Sequence, residues 1–286
     1  MERETSRSFN FSQNYLDMAH PFQILLTNDD GIQSPGLWAA AAALSALGYV
    51  HVVAPRDQYS GAGRSMPSNS DGVITSLEMQ VGGKCWTVYS VGGTPAQSVL
   101  HAVCEILPGK PDLVVSGINY GENVGTGVTV SGTVGAALEG AALGVPSLAV
   151  SLETDIAHHL SYSTEVDFTH AAYFTALFGR MLLNKSLPPD VDVLKVDVPA
   201  DATSLTPWAL TRLTRQTYFE PVAPQRADWS QPGTVGYRAQ TDFSQAGEDT
   251  DAYVLRVRRQ VAVVPLSLDM TSRIKLSELD GLLRGG

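Results

Sequence analysis

The chain has 286 residues, 44% of them apolar, and 29 Asp and Glu against 19 Lys and Arg give a formal net charge of −10. That length can bury a large core, as one domain or as a domain with an extension, and no run of eighteen apolar residues offers a membrane span. The acidic balance argues against a nucleic-acid polymer as partner, because such affinity rests on Lys and Arg neutralising phosphates; a small anionic ligand would need positive charge brought in locally, as a metal ion brings it.

The opening "MERETSRSFNFSQNYLDMAH" is polar and of mixed charge, without the apolar core and small-residue cleavage site of a secretory signal. A disordered tail over residues 1–20 and a cytoplasmic location are expected. Cys85 and Cys104, the only cysteines, form no C-x-x-C pair and read as reduced thiols.

Gln23 to Thr27 reads as a buried strand, "SPGLWAAAAALSAL" from Ser34 as a helix with a start signal, and "YVHVVAP" as a second strand. Strand, helix and strand over this span predict a right-handed parallel crossover. The Gly-, Ser- and Pro-rich "PRDQYSGAGRSMPSNS" is a loop, and "GVITSLEMQV" with "KCWTVYSV" around Gly82 and Gly83 predicts a hairpin. Thr94 and Pro95 open a helix as N-cap and first residue. "PDLVVSG" is a third core strand, followed by a glycine-rich loop, a helix of small residues from about Ser131, and a fourth strand from Pro146.

A further helix over Phe168 to Leu183 and a strand in "VDVLKVDVP" complete the alternation. The expected fold is α/β, a Rossmann-like doubly wound, mainly parallel sheet over residues 21–200. Beyond Pro199, strand-like runs such as "AYVLRVRRQVAVVPL" predict a β-rich C-terminal extension over residues 201–286.

Taken alone, "NDDG" after the first strand is a turn sequence, since Asn and Asp bond locally and Gly permits positive φ. Its location adds a second reading, because ligands of such sheets bind at the carboxyl ends of the strands. Asp29 and Asp30 are adjacent carboxylates whose joint ionisation is costly unless a cation lies between them. Ser60 in "QYSGAG" and Asn119 and Asn123 in "SGINYGEN" add hydroxyl and amide oxygens at two other strand ends. An all-oxygen set of this kind suits Mg²⁺ or Mn²⁺.

Ser131, Gly132 and Thr133 open a helix whose free amides and dipole favour a phosphate, though a plain Ser cap accounts for the same residues. A Walker A motif, a G-x-G-x-x-G after the first strand and a G-x-S-x-G elbow are all missing from the sequence. The six histidines build no site that spacing reveals, and they read as structural or surface residues.

In their order and spacing, "ILLTNDDGIQSPG", "VVAPRDQYSGAGRS", "PDLVVSGINYGENVG" and "VSGTVGAALEG" resemble the SurE family, the survival-protein 5′/3′-nucleotidases. The later "EDTDAYVLRVRRQVAVVPLSLDMTS" is similar to that family's closing segment, except that Arg258, Arg259 and Gln260 stand where a glycine and an aromatic are common. The resemblance implies a divalent-metal phosphomonoesterase acting on nucleoside 5′- and 3′-monophosphates, with short polyphosphate a further substrate of some members. It also implies homodimers or homotetramers that exchange the extension. Carried over by position, Asp29, Asp30, Ser60 and Asn119 would hold the metal, and Asn123, Ser131, Gly132 and Thr133 the phosphate.

On that reading a metal-activated water attacks phosphorus, with Asp29 or Asp30 accepting its proton. Three alternatives keep the same acidic strand end. A haloacid-dehalogenase-like phosphatase would form an aspartyl-phosphate, a glycosyltransferase-like enzyme would transfer to an acceptor, and a non-catalytic nucleotide or metal sensor would release nothing.

Overall fold

The computed structural model describes residues 21–81, 83–159 and 162–285; the tail expected over 1–20 lies outside them. Strand β1 (Phe22–Thr27), helix α1 (Pro35–Leu44) and strand β2 (Gly48–Pro55) form the expected parallel crossover, with Ile24 opposite Val50 and Leu26 opposite Val52. Ile24 and Leu26 belong to one apolar cluster and Leu25 to another. β1 is therefore buried on both faces, which its unbroken apolar run requires.

The hairpin β3 (Ile74–Val81) and β4 (Lys84–Val91) follows, and β4 lies parallel to β2. Helix α2 (Pro95–His101) starts at a reciprocal cap in which Thr94 Oγ1 accepts from the Gln97 amide while Gln97 Oε1 accepts from the Thr94 amide. Then come β5 (Leu113–Tyr120), α3 (Gly132–Ala142), β6 (Ser147–Leu152), α4 (Thr169–Asn184) and β7 (Val193–Val198).

The residues past Pro199 supply β8 (Trp208–Leu210), a separate hairpin of β9 (Phe219–Val222) and β10 (Gly236–Ala239), helix α5 (Asp251–Arg256), β11 (Val261–Leu266) and helix α6 (Leu276–Arg284). The main sheet runs β3-β4-β2-β1-β5-β6-β7-β11-β8. It is parallel from β4 through β7 and antiparallel at the β3–β4 and β7–β11 pairs. Helices α1 and α4 cover one face, and α2 and α3 the other.

The run "AYVLRVRRQVAVVPL" departs from the strand-like expectation. Its first part is α5, which buries Ala252, Val254 and Leu255, and only its second part is a strand. A short apolar run does not distinguish helix from strand by periodicity, and tertiary packing decides here. β11 pairs with β7, so the core sheet continues past residue 200. Between α5 and β11, Arg259 adopts a positive φ of 53°. Its guanidinium pairs with Glu153 and Asp201, which offsets the strain of a left-handed non-glycine residue at a place where a glycine was expected.

From β1 the chain moves outward to β2 on one side and later returns to β5 on the other. The carboxyl ends of β1 and β5, aligned with Thr27 opposite Ser116, therefore flank a topological switch point.

Candidate active site

Asp29 and Asp30 leave β1 at this crevice and are 5% and 1% exposed. Gly31, at φ 93°, turns the chain at once back toward α1, with Asn28 Oδ1 accepting from its amide. The Thr133 hydroxyl donates to Asp29 Oδ1 at 2.5 Å. Burial raises the Asp29 pKa, and that hydroxyl with the amides of Thr133 and Gly132 partly opposes the rise. The first turn of α3 is thus directed at a carboxylate, and Gly132 permits the approach, because a Cβ there would stand 2.7 Å from Asp29 Cβ.

Asp30 is held from two other segments. Its Oδ2 accepts from the Tyr120 amide at 3.2 Å and its Oδ1 from Gln58 Nε2 at 3.0 Å. Burial, then the charge of Asp29, pushes its pKa well above the usual carboxylate range. Tyr162 donates to the Asp30 carbonyl at 2.8 Å. Burial and the nearby Asp30 also push the Tyr120 phenol up to about 12.

Ser60 is exposed in the loop after β2. That loop is tied to the crevice by Tyr59 N donating to Asp29 O at 2.7 Å and Gly63 N donating to Val130 O at 2.8 Å, and by Arg64 pairing with Glu139 of α3. Asn119, at the end of β5, donates Nδ2 to Gly121 O at 2.6 Å, which leaves Oδ1 as its acceptor end. Asn123 donates Nδ2 to Ser151 Oγ at 2.8 Å. Ser131 Oγ caps α3 by accepting from Val134 N, so the Thr133 hydroxyl serves Asp29 while the Ser131 oxygen serves its own helix.

Sequence reasoning did not single out Gln58 or Tyr162, and it read His159 with the other histidines as a structural or surface residue. Gln58 Nε2 bridges Asp30 to the His159 carbonyl, at 2.8 Å from the latter. His159 is 8% exposed, lies against Gly121, bonds Tyr237 through Nδ1 and has no partner at Nε2. Gln58 stands two residues before Ser60, but neither Tyr162 nor His159 carries a local signal, since both reach the crevice from more than a hundred residues along the chain.

Among the described residues no three His, Cys, Asp or Glu side chains converge on a metal. A cation here must therefore draw on neutral oxygens besides the aspartate pair. The donor chemistry fits one. Two buried carboxylates, each with a raised pKa, are relieved by a positive charge, and Ser60 and Asn119 carry hard oxygen atoms at the same edge.

Residues 24–220 match the family model described as survival protein SurE. The protein described as 5′-nucleotidase SurE from Thermococcus gammatolerans is 44% identical over 267 residues, covering 92% of this chain and 96% of that one. The protein of the same description from Archaeoglobus fulgidus is 40% identical over 264 residues, covering 92% and 98%. The crystal structure of the SurE protein from Aquifex aeolicus superposes with a TM-score of 0.73 at 32% identity, over 92% of this chain and 99% of the other.

Proposed function

The chain belongs to the SurE family, and from that premise we propose that it is a 5′-nucleotidase, a divalent-metal-dependent enzyme that hydrolyses nucleoside 5′- and 3′-monophosphates to nucleoside and phosphate. The observation that carries the reading is the pair Asp29 and Asp30, adjacent and buried at the carboxyl end of β1 beneath the first turn of α3. Asp29, Asp30, Ser60 and Asn119 would hold the cation, Mg²⁺ or Mn²⁺. When bound, the cation supplies positive charge against the phosphoryl oxygens and acidifies water at the site.

The protein's own groups do the remaining work. Thr133 Oγ1 fixes Asp29, while Tyr120 N and Gln58 Nε2 hold the two oxygens of Asp30, so each carboxylate enters the reaction already oriented. One of the pair accepts the proton of the attacking water. The second Nδ2 hydrogen of Asn123 and the positive end of α3 at Ser131, Gly132 and Thr133, acting through its dipole, would balance charge on the phosphoryl oxygens.

The pure protein incubated with AMP, GMP and a generic phosphomonoester, with and without Mn²⁺ or Mg²⁺, should release phosphate only with metal. Release in the presence of chelator, a trapped aspartyl-phosphate, transfer to an acceptor, or binding without release would each overturn the reading. We further propose a cytoplasmic homodimer or homotetramer built through residues 201–286. The exposed Leu276, Leu282 and Leu283 of α6 support it, and gel filtration tests it.

A further inference from the structure

Lys195 and Asp197 of β7 and Asp251 at the start of α5 are fully buried and form an ion cluster in the interior. The ammonium uses all three of its protons, on Asp197 Oδ2, on Asp251 Oδ2 at 3.1 Å and on the Asn123 carbonyl at 2.8 Å. Asp197 Oδ1 accepts from the Asn123 amide at 2.8 Å. Asp251 accepts from the amides of Gly125, Thr214 and Ala252 at 2.8, 2.8 and 2.9 Å.

Two carboxylates thus face one ammonium, and four backbone N–H groups balance the surplus negative charge. Such clusters give little net stability, because apolar residues of similar volume fill the same space without the cost of desolvating ions. What this one does is grip the backbone of a single residue on both sides. Both the N–H and the C=O of Asn123 end in the cluster, while its Nδ2 is taken by Ser151 Oγ on β6. Gly121 N bonds Leu152 O and Gly125 N bonds Asp251, so the loop after β5 is pinned at three alternate residues as it crosses β6.

We propose that Lys195, Asp197 and Asp251 are positioning residues that fix the Asn123 backbone at the strand-end crevice, making the C-terminal segment a structural part of the phosphate site. The proposal rests on the reading of Asn123 as a phosphate ligand. Its distinctive requirement is an acceptor oxygen opposite the Asn123 amide rather than a charge at that position. Asparagine at 197 keeps an oxygen for the Asn123 amide, at the cost of an NH₂ that faces the Lys195 ammonium, and alanine keeps neither.

The test is a double-mutant cycle in the full chain with Mn²⁺, reading kcat, KM for AMP, the inhibition constant of inorganic phosphate, and the melting curve. Asp197→Ala should raise KM and the phosphate constant about tenfold with kcat within about threefold. Asp197→Asn, which keeps the oxygen but loses the Lys195 contact, should recover part of that binding. In an Asn123→Ala background, itself raised in KM, Asp197→Ala should add nothing.

Unchanged KM in a folded Asp197→Ala protein overturns the proposal, as do effects of the two substitutions that simply multiply, or activity lost only in step with folded protein. If Asp197→Ala does not fold, Lys195→Met with Asp251→Asn removes the donor to Asn123 O at unchanged net charge, and the same outcomes decide. An active enzyme with wild-type KM in Asn123→Ala also overturns the proposal while leaving the nucleotidase reading intact. Should no phosphomonoester be hydrolysed by the wild type, that reading falls by itself. Calorimetric binding of inorganic phosphate to the same variants then decides the positioning claim, and no binding to the wild type overturns it.

Discussion

Gly132→Ala places one methyl group against the aspartate pair. The new carbon would lie 2.7 Å from Asp29 Cβ and 2.8 Å from its Oδ2, whereas unstrained carbon contacts fall near 3.5–4.0 Å, so one side must yield by roughly 1 Å. Asp29 has no slack to absorb this, being 5% exposed and tied through Oδ1 to Thr133 at 2.5 Å. The first residue of α3 gains at most about 1 kcal/mol of helix propensity from the change, and overpacking costs about 1–3 kcal/mol. Net destabilisation should therefore be modest, roughly 0–2 kcal/mol in a melting curve.

The effect on turnover should be out of proportion to that. A displacement of about 1 Å in a reacting group costs on the order of 10²-fold, and kcat/KM for AMP with Mn²⁺ should fall by about that factor. Gly281→Ala is the contrast. It sits in exposed α6 with no atom in its path, so it should gain up to about 1 kcal/mol and leave turnover unchanged. A folded Gly132→Ala protein with wild-type kcat/KM would refute the placement of Asp29 at the reaction centre.

Asp29→Asn should cut turnover at least about 10²–10³-fold while the far-ultraviolet circular dichroism stays native; full activity in that variant sinks the assignment. Chelation should abolish phosphate release, and Mn²⁺ at a hundred times its dissociation constant should stabilise the protein by about 2.7 kcal/mol, a rise of roughly 4–5 °C in Tm for a chain of this length. Asp29→Asn should erase that rise, and a shift of equal size in the variant would place the cation elsewhere. Glu153 accepts from Arg256, Arg259 and the Ala200 amide, and these contacts outweigh burial and hold its pKa below the ordinary glutamate value. A depressed folded pKa contributes stability above the unfolded value, which is lost as pH falls through the folded one. Glu153→Gln should therefore lower stability at neutral pH by on the order of 1 kcal/mol, after solvent screening, with the difference shrinking in melts below pH 4; an unchanged difference there would contradict it.

Most core elements could be read from local pattern because each is encoded within a few residues. Pro35 after Ser34, Thr94 with Gln97, and the apolar runs of β1 and β5 need no distant partner to declare themselves. The segment past Pro199 was legible as strand-bearing, but the division of Asp251–Leu266 between α5 and β11 was not, since it depends on burial of Val254 and Leu255 against Tyr218 and Phe243. Charge alternation hid the Lys195 cluster in the same way. "LKVDV" reads as a strand with two polar residues facing one side, and nothing local says that both are fully buried.

By itself the sequence determined the doubly wound order of elements and the strand ends where Asp29, Asp30, Ser60, Asn119 and Asn123 stand, because periodicity and turn chemistry are local. Only the tertiary structure decided which of those groups meet. It gave Asp29 the Thr133 hydroxyl, gave Asp30 the Tyr120 amide and Gln58, and clamped Asn123 through β7 and α5. The physical reason is the span of these bonds along the chain, from 28 to 104 residues. Contacts of that reach exist only once the sheet order is fixed.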